Sequence, residues 1–339
     1  MPEGHSVHRL ARQFRDVFGG AALAVSSPQG KFSAGAARID GHVLERAEAH
    51  GKQMFLYFSH DLVMRVHLGL YGAWDFGGDS TFTGASSIGA PRRIGEQELG
   101  AESPDDDQAS VSGGPAAGLL TVAGPGDYDG PPEPTGAVRV RLVSDHGWAD
   151  LRGPTACEVL TPAEAAAVRR KLGPDPLNHG QGDEEEFVRR IRKSTTSTAL
   201  QLMKQDVLAG VGNVYRAEVL FRLGLDPMLP GTSLQREEAQ ALWEDIARIM
   251  ADGVRDGRII TTELRDRPSG VGVDVGCGPA SRGGMGDGLP RRPNKDVPAE
   301  DSHYVYKREG LPCRHCGSQI AMKDLGGRKL YWCPSCQAG

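Results

Sequence analysis

The sequence predicts a multidomain α+β protein, and three observations predict it. Residues 21–76 and 138–151 alternate β-branched or aromatic residues with polar ones. Residues 162–256 carry apolar side chains at helical spacing. Near the C-terminus stand two Cys-x2-Cys pairs. With 339 residues the chain can hold two or three modest domains, each with its own core. It has no apolar run of about 18 residues, which excludes a membrane-spanning helix. No basic stretch followed by an apolar one opens the chain, so no secretory signal is expected.

In order, residues 4–18 read as an amphipathic helix. Val7, Leu10, Ala11, Phe14, Val17 and Phe18 recur at helical spacing, and Gly19-Gly20 stops the run. Arg9, Arg12 and Arg15 read as a solvated face. The buried stripe anchors Met1-Pro2-Glu3-Gly4 just before it. Strands are expected at 43–47, 53–58 and 62–67, in a sandwich or a barrel. His50-Gly51-Lys52 interrupts the first two, and Lys52 alone would be an ordinary solvated lysine.

Residues 77–136 change character. They hold ten acidic side chains and only two basic ones, Arg92 and Arg93, and aromatics nearly vanish. Net charge is −5 for the chain but −8 for this segment, so the remainder is mildly basic. Too little apolar surface is present to offset chain entropy, and a flexible acidic insertion in a first domain spanning 1–153 is expected. Strands resume at 138–143 and 147–151. Pro154 to Pro162 reads as a linker.

A helical domain is expected over 161–257. Thr161-Pro162-Ala163-Glu164 has a cap, an early proline and a first-turn carboxylate. Helices are expected near 183–192 and 197–203. A double turn over 205–213 leads into a helix from Asn213 to about 223, and a long helix covers 233–252. Residues 258–302 read as a flexible linker, Gly- and Pro-rich from 267 on. Cys277 within it is an incidental thiol. A last module spans 303–338.

Cys313, Cys316, Cys333 and Cys336 fit a tetrahedral four-thiolate zinc site. One structural Zn2+ per chain is expected, because four thiolates leave no position open to substrate. The hairpin between the pairs presents His315, Lys323, Arg328 and Lys329, which suits phosphate contact. Gly210-Val211-Gly212-Asn213 opens a helix whose N–H groups and dipole would favour a phosphate, with Asn213 as cap or phosphate donor. No Lys-Ser/Thr follows, so nucleotide hydrolysis is not expected. At the start, removal of Met1 would leave Pro2 a secondary amine beside the Glu3 carboxylate, able to form an iminium with a sugar aldehyde carbon.

Together these residues resemble the formamidopyrimidine-DNA glycosylase/endonuclease VIII family. The likeness rests on Met1-Pro2-Glu3-Gly4, Gly51-Lys52, the run from His67 to Gly72, the run from Gly210 to Glu218, and the zinc hairpin from Arg328 to Gln337. It implies an N-terminal β-sandwich with flanking helices, a helix–two-turns–helix domain and a four-cysteine zinc-finger β-hairpin. DNA would lie in the cleft between the halves, with the damaged nucleotide flipped out.

The resemblance implies a bifunctional DNA glycosylase/AP lyase of base-excision repair. Pro2 matches the nucleophile and Glu3 the acid/base at the sugar ring oxygen. Lys52, Asn213 and Arg328 match three phosphate-gripping residues. Leu70 and Tyr71 match the wedge that fills the vacated stack. Taken alone, those two would be an ordinary core pair. Ser6 stands where many members carry a second glutamate. The Met-Pro-Glu-Gly start and the Leu-Tyr wedge favour oxidised pyrimidines such as thymine glycol and 5-hydroxycytosine. The alternatives are formamidopyrimidine and 8-oxoguanine, or a non-catalytic DNA-binding zinc-ribbon protein. Damaged DNA is the expected partner, in duplex, bubble or single strand. A cytoplasmic, nucleoid-associated monomer is expected.

Overall fold

Helix α1 (Gly4–Phe18) turns its apolar stripe inward, with Leu10, Phe14 and Phe18 fully buried. The computed structural model describes residues 2–90, 130–267 and 297–338. Phe14 sets its ring edge against Trp74 at 4.8 Å and Phe76 at 5.3 Å, which docks α1 on the first sheet. This places the N-terminal residues at a fixed point of the fold.

Two antiparallel sheets form the N-terminal unit. The first orders β1 (Ala24–Ser26), β7 (Val138–Val143), β8 (Gly147–Arg152), β5 (Ala73–Gly78) and β6 (Ser87–Gly89). The second orders β2 (Leu44–His50), β3 (Gln53–Phe58), β4 (Leu62–His67) and β9 (Ala156–Leu160). Leu56, Met64, Leu142 and Leu151 join the α1 stripe in one core, a sandwich rather than a closed barrel.

Several expectations need correction. Helix α2 (Ser33–Ile39) lies where only strands were expected; its alanines carry a helix that buries Ala36 and Ile39. The acidic insertion expected from 77 starts later, because residues 77–90 are built into the sandwich. β6 pairs with β5, Ile88 is buried, and the Gln13 amide exchanges 2.9 Å hydrogen bonds with both backbone groups of Ala85. Residues 91–129 lie outside the described residues. The linker expected from Pro154 is largely strand β9, with Val63↔Leu160 through His67↔Ala156 in register. Pro154 precedes the ladder and does not disturb it.

The helical unit comprises α3 (Pro162–Arg170), α4 (Asp183–Ile191), α5 (Thr198–Gln201), α6 (Asn213–Arg222) and α7 (Arg236–Asp256). Thr161 and Glu164 form a complete capping box on α3. Ala239, Leu242, Ile246, Ile249 and Met250 of α7 face a core shared with Tyr215, Val219 and Leu220 of α6. Arg9, expected in solvent, donates to the Gly257 carbonyl at 3.1 Å and so ties α1 to the end of α7.

Strands β10 (Ala321–Leu325) and β11 (Arg328–Trp332) form the C-terminal hairpin, joined by Gly326-Gly327 at φ +61° and +72°. Its lead-in is held by Glu218 of α6. That buried carboxylate accepts the N–H groups of Tyr304 (2.8 Å), Val305 (2.9 Å) and Tyr306 (2.8 Å), and also the Thr261 hydroxyl. The linker expected over 258–302 is therefore packed at both ends, with Thr261, Thr262 and Ser302 buried. Residues 268–296, with Cys277, lie outside the described residues.

Candidate active site

Three separate backbones meet behind the N-terminus, and glycines allow it. Gly4 donates its N–H to the Gly210 carbonyl at 2.9 Å. Gly51 sits in the two-residue turn between β2 and β3 at φ +58°, and Gly210 lies at φ +98°. A Cβ on Gly51 would stand 2.8 Å from the Gly210 nitrogen, and one on Gly4 would stand 2.9 Å from the Gly210 Cα. The start of α1, the Lys52 turn and the double turn before α6 are thus in direct contact.

Glu3 is completely buried, and Pro2 beside it is buried too. The Glu3 carboxylate accepts the Gly212 N–H at 2.8 Å and the Val214 N–H at 2.9 Å. The anion favoured at the α6 N-terminus is thus the chain's own Glu3. This corrects the expectation that those N–H groups would serve a phosphate. Burial pushes the Glu3 pKa above the usual carboxylate range, against the pull of Lys52 and the backbone N–H groups. A carboxyl shifted this way can hold a proton and give it up.

Lys52 is no free surface lysine. Its Nζ donates to the Val211 carbonyl at 2.5 Å. Burial lowers its pKa to about 8, with the Glu3 charge resisting and Arg328 assisting. His67, which ends β4 and pairs with Gln53, is likewise lowered by burial and then by the Lys52 charge.

Asn213 does not cap α6, since Glu3 does. Its Nδ2 donates to the Lys329 carbonyl at 2.9 Å, and its Oδ1 accepts from Arg216. Arg216 also reaches the Lys329 carbonyl at 3.3 Å, so α6 and the hairpin are stitched together here. Burial brings the Arg216 pKa down to about 10. Arg328 opens β11, and its charge is felt at Lys52, Arg216 and Tyr306. The charges of Glu3, Lys52, Arg216 and Arg328 thus act on one another, and Asn213 joins the group through Arg216. Sequence reasoning passed over Arg216 and Tyr306. Arg216 had one legible signal: it lies three residues past Asn213, on the same helix face.

Leu70 and Tyr71 stand apart, in the turn from β4 to β5. Gly72 closes this turn by donating to the Leu68 carbonyl at 3.0 Å, and Leu68 is buried beneath it. Leu70 is 42 % exposed and Tyr71 80 % exposed, so the pair is not core. Two large side chains project where water must be displaced to cover them.

The sulfurs of Cys313, Cys316, Cys333 and Cys336 lie within 4.8 Å of one another. Cys316–Cys333 are 3.4 Å apart and Cys313–Cys336 3.8 Å. The edge of a tetrahedron with metal–sulfur bonds of about 2.3 Å is roughly 3.8 Å, so the four thiols fit a structural metal. Among the described residues no helix is long and apolar enough to cross a membrane.

Family models match in chain order. The formamidopyrimidine-DNA glycosylase N-terminal domain matches residues 1–108, the formamidopyrimidine-DNA glycosylase H2TH domain residues 172–264, and the zinc finger found in FPG and IleRS residues 310–339. Endonuclease 8 1 of Mycobacterium tuberculosis is 38 % identical over 337 residues, covering 99 % of this chain and 100 % of that protein. A formamidopyrimidine-DNA glycosylase of Thermus thermophilus is 32 % identical over 167 residues, 49 % of this chain and 54 % of that protein. In fold, the chain matches Lactococcus lactis Fpg in complex with N7-benzyl-Fapy-dG DNA. That match has a TM-score of 0.66 at 16 % identity and covers 100 % of both chains.

Proposed function

The chain belongs to the formamidopyrimidine-DNA glycosylase/endonuclease VIII family of DNA glycosylase/AP lyases, and from that premise we propose that it excises oxidised pyrimidines from DNA through the Pro2 nitrogen and then cuts the strand. The observation that carries this reading is the buried Glu3 carboxylate. It lies next to Pro2, capped by the α6 N–H groups and within the field of Lys52.

With Met1 removed, the Pro2 nitrogen attacks C1′ of the damaged nucleotide, and the base departs with the glycosidic electron pair and takes up the proton that the Pro2 nitrogen sheds. Glu3 delivers its proton to the ring oxygen, the sugar opens, and a charged iminium joins Pro2 to C1′. The iminium acidifies the C2′ hydrogens. Loss of one breaks the bond from C3′ to its phosphate, and a second elimination breaks the bond from C5′. Hydrolysis frees Pro2. Lys52, Asn213 and Arg328 would hold the phosphates flanking the lesion, which helps offset an unstacking cost of a few kcal/mol. Leu70 and Tyr71 would enter the gap.

The four-cysteine site would hold one structural Zn2+, the metal that best suits four thiolates in a hairpin of this kind. It would supply no open coordination position; its work is to hold the strand that carries Arg328. We place the protein on damaged DNA as a monomer, in the cytoplasm at the nucleoid.

The preference for oxidised pyrimidines is supported by likeness along the whole chain to Endonuclease 8 1, against about half of it for the formamidopyrimidine-DNA glycosylase of Thermus. Incision of duplexes carrying a single thymine glycol, 5-hydroxycytosine, formamidopyrimidine or 8-oxoguanine tests it. The pyrimidine lesions should be cut at least tenfold faster, leaving phosphate at both gap ends. Faster cutting of the purine lesions would overturn the preference, and no cutting of any would leave a protein that only binds DNA.

A further inference from the structure

Asp175 is fully buried where the parts of the site are joined. It lies in the segment between α3 and α4. Its Oδ2 accepts the Gly51 N–H at 2.7 Å and faces His8 Nε2 of α1 at 2.8 Å. Its Oδ1 accepts the Leu177 N–H at 3.0 Å. Although burial alone would raise it, the His8 ring and the N–H groups hold this carboxyl below the usual range.

The neighbours of Asp175 extend the same strap. His50 Nε2, at the end of β2 just before the Lys52 turn, pairs with the Gly173 carbonyl at 2.9 Å. Gly173 donates to the Gln205 carbonyl at 2.8 Å, and Ala209 donates to the Pro174 carbonyl at 2.9 Å. Gln205 then gives its Nε2 to the Val211 carbonyl at 3.0 Å, the same oxygen that receives Lys52 Nζ. Residues 173–175 therefore touch α1, the Lys52 turn and the double turn at once. A two-residue turn without such an anchor would be free to rock about its strand ends, and catalytic geometry tolerates about 1 Å of error at most.

We propose that Asp175 is a positioning residue. It fixes the Gly51-Lys52 turn against α1, and so sets where the Lys52 ammonium stands relative to Pro2 and Glu3. The assignment rests on the reading of Pro2 and Lys52 given above. A carboxylate suits the task because three hydrogen-bond donors converge on it. An amide at 175 has a single acceptor oxygen, so one of its two ends must set N–H against N–H. His8 is a companion rather than the anchor, since it touches Asp175 but not the turn.

The test measures Asp175→Ala and Asp175→Asn against wild type and His8→Gln. Three quantities are read. The amplitude of borohydride trapping on abasic-site DNA counts competent sites. Single-turnover incision gives the rate per trapped site, and binding to duplex with a tetrahydrofuran site gives Kd. The rate per site should fall at least 30-fold in Asp175→Ala and less in Asp175→Asn, with Kd changing under fivefold and His8→Gln staying within threefold of wild type. If the Asp175 variants lose trapping amplitude but keep the wild-type rate per site, Asp175 merely supports folding and the proposal is wrong. An equal loss in His8→Gln also overturns it, because the anchor would then be the α1 contact. Failure of wild type itself to trap would instead sink the underlying reading of Pro2.

Discussion

The Glu3 carboxylate accepts the Gly212 N–H at 2.8 Å, joining the third residue of the chain to the mouth of helix α6. The approach is so close that a Cβ on Gly212 would stand 2.6 Å from Glu3 Oε1 and 2.7 Å from its Cγ. Gly212 has φ −123°, which any residue adopts, so the constraint is purely steric. Gly212→Ala should therefore displace Glu3 without unfolding α6. The expected result is a loss of about 100-fold or more in single-turnover base excision, with the thermal midpoint within a few degrees of wild type. Kinetics on a single-lesion duplex and a melting curve check both halves.

Lys52 gives the pH dependence its sign. Its pKa in the fold is about 8, below the ordinary 10.5, chiefly because it is buried. The free enzyme loses this charge as pH rises through about 8, and with it the phosphate contact proposed for Lys52. kcat/KM, which reports the free enzyme, should fall on the alkaline side of about pH 8. Lys52→Arg keeps its charge to far higher pH, so the part of the fall centred near pH 8 should vanish, although its maximum rate drops because the fork does not fit. Stability moves the other way. The burial cost of charged Lys52 is fully present below about pH 8 and is relieved as pH climbs toward 10.5. A pH series of kcat/KM for the two proteins measures the first effect.

Leu70 and Tyr71 should separate stability from function. Both project from a turn anchored by buried Leu68. Leu70→Ala and Tyr71→Ala should leave the unfolding free energy within about 0.5 kcal/mol of wild type. Each should weaken the productive complex by about 1–3 kcal/mol, the usual worth of a base-stacking contact. Denaturant titration and lesion-duplex binding provide the two numbers.

Metal removal should act through the hairpin. The four thiols lie in one cluster, while Arg328 and Lys329 stand on β11, which ends one residue before Cys333. Chelation should weaken binding to abasic-site duplex at least tenfold through loss of the phosphate contacts proposed for that strand. Fluorescence anisotropy during chelator titration, with metal release followed in parallel, checks it. Unchanged affinity after full release would remove the hairpin from the interface.

Much of this was legible in the sequence because it is local. The α1 stripe, the Thr161–Glu164 capping box and the two Cys-x2-Cys pairs each declare themselves within a few residues. The anion site before Asn213 was legible as a helix N-terminus, but not its occupant. Glu3 reaches Gly212 across more than 200 residues, and no local pattern records a tertiary cap. The same holds for Asp175 and Glu218, buried carboxylates that look like any acidic residue until their backbone partners are seen. Strand β9 was hidden by its flanking proline. Residues 77–90 were hidden by glycine and serine, because Ile88 and the Gln13–Ala85 bonds lie outside any periodic run.

The central claim is that the Pro2 nitrogen is the nucleophile, and borohydride trapping on abasic-site DNA tests it most directly. Mature wild type should yield one covalent protein–DNA adduct whose DNA-bearing peptide begins at Pro2. Pro2→Ala and a form retaining Met1 should each trap at least 100-fold less, while binding the same duplex with similar affinity. Trapping at the wild-type level by either variant, or an adduct mapped to Lys52, would contradict the account.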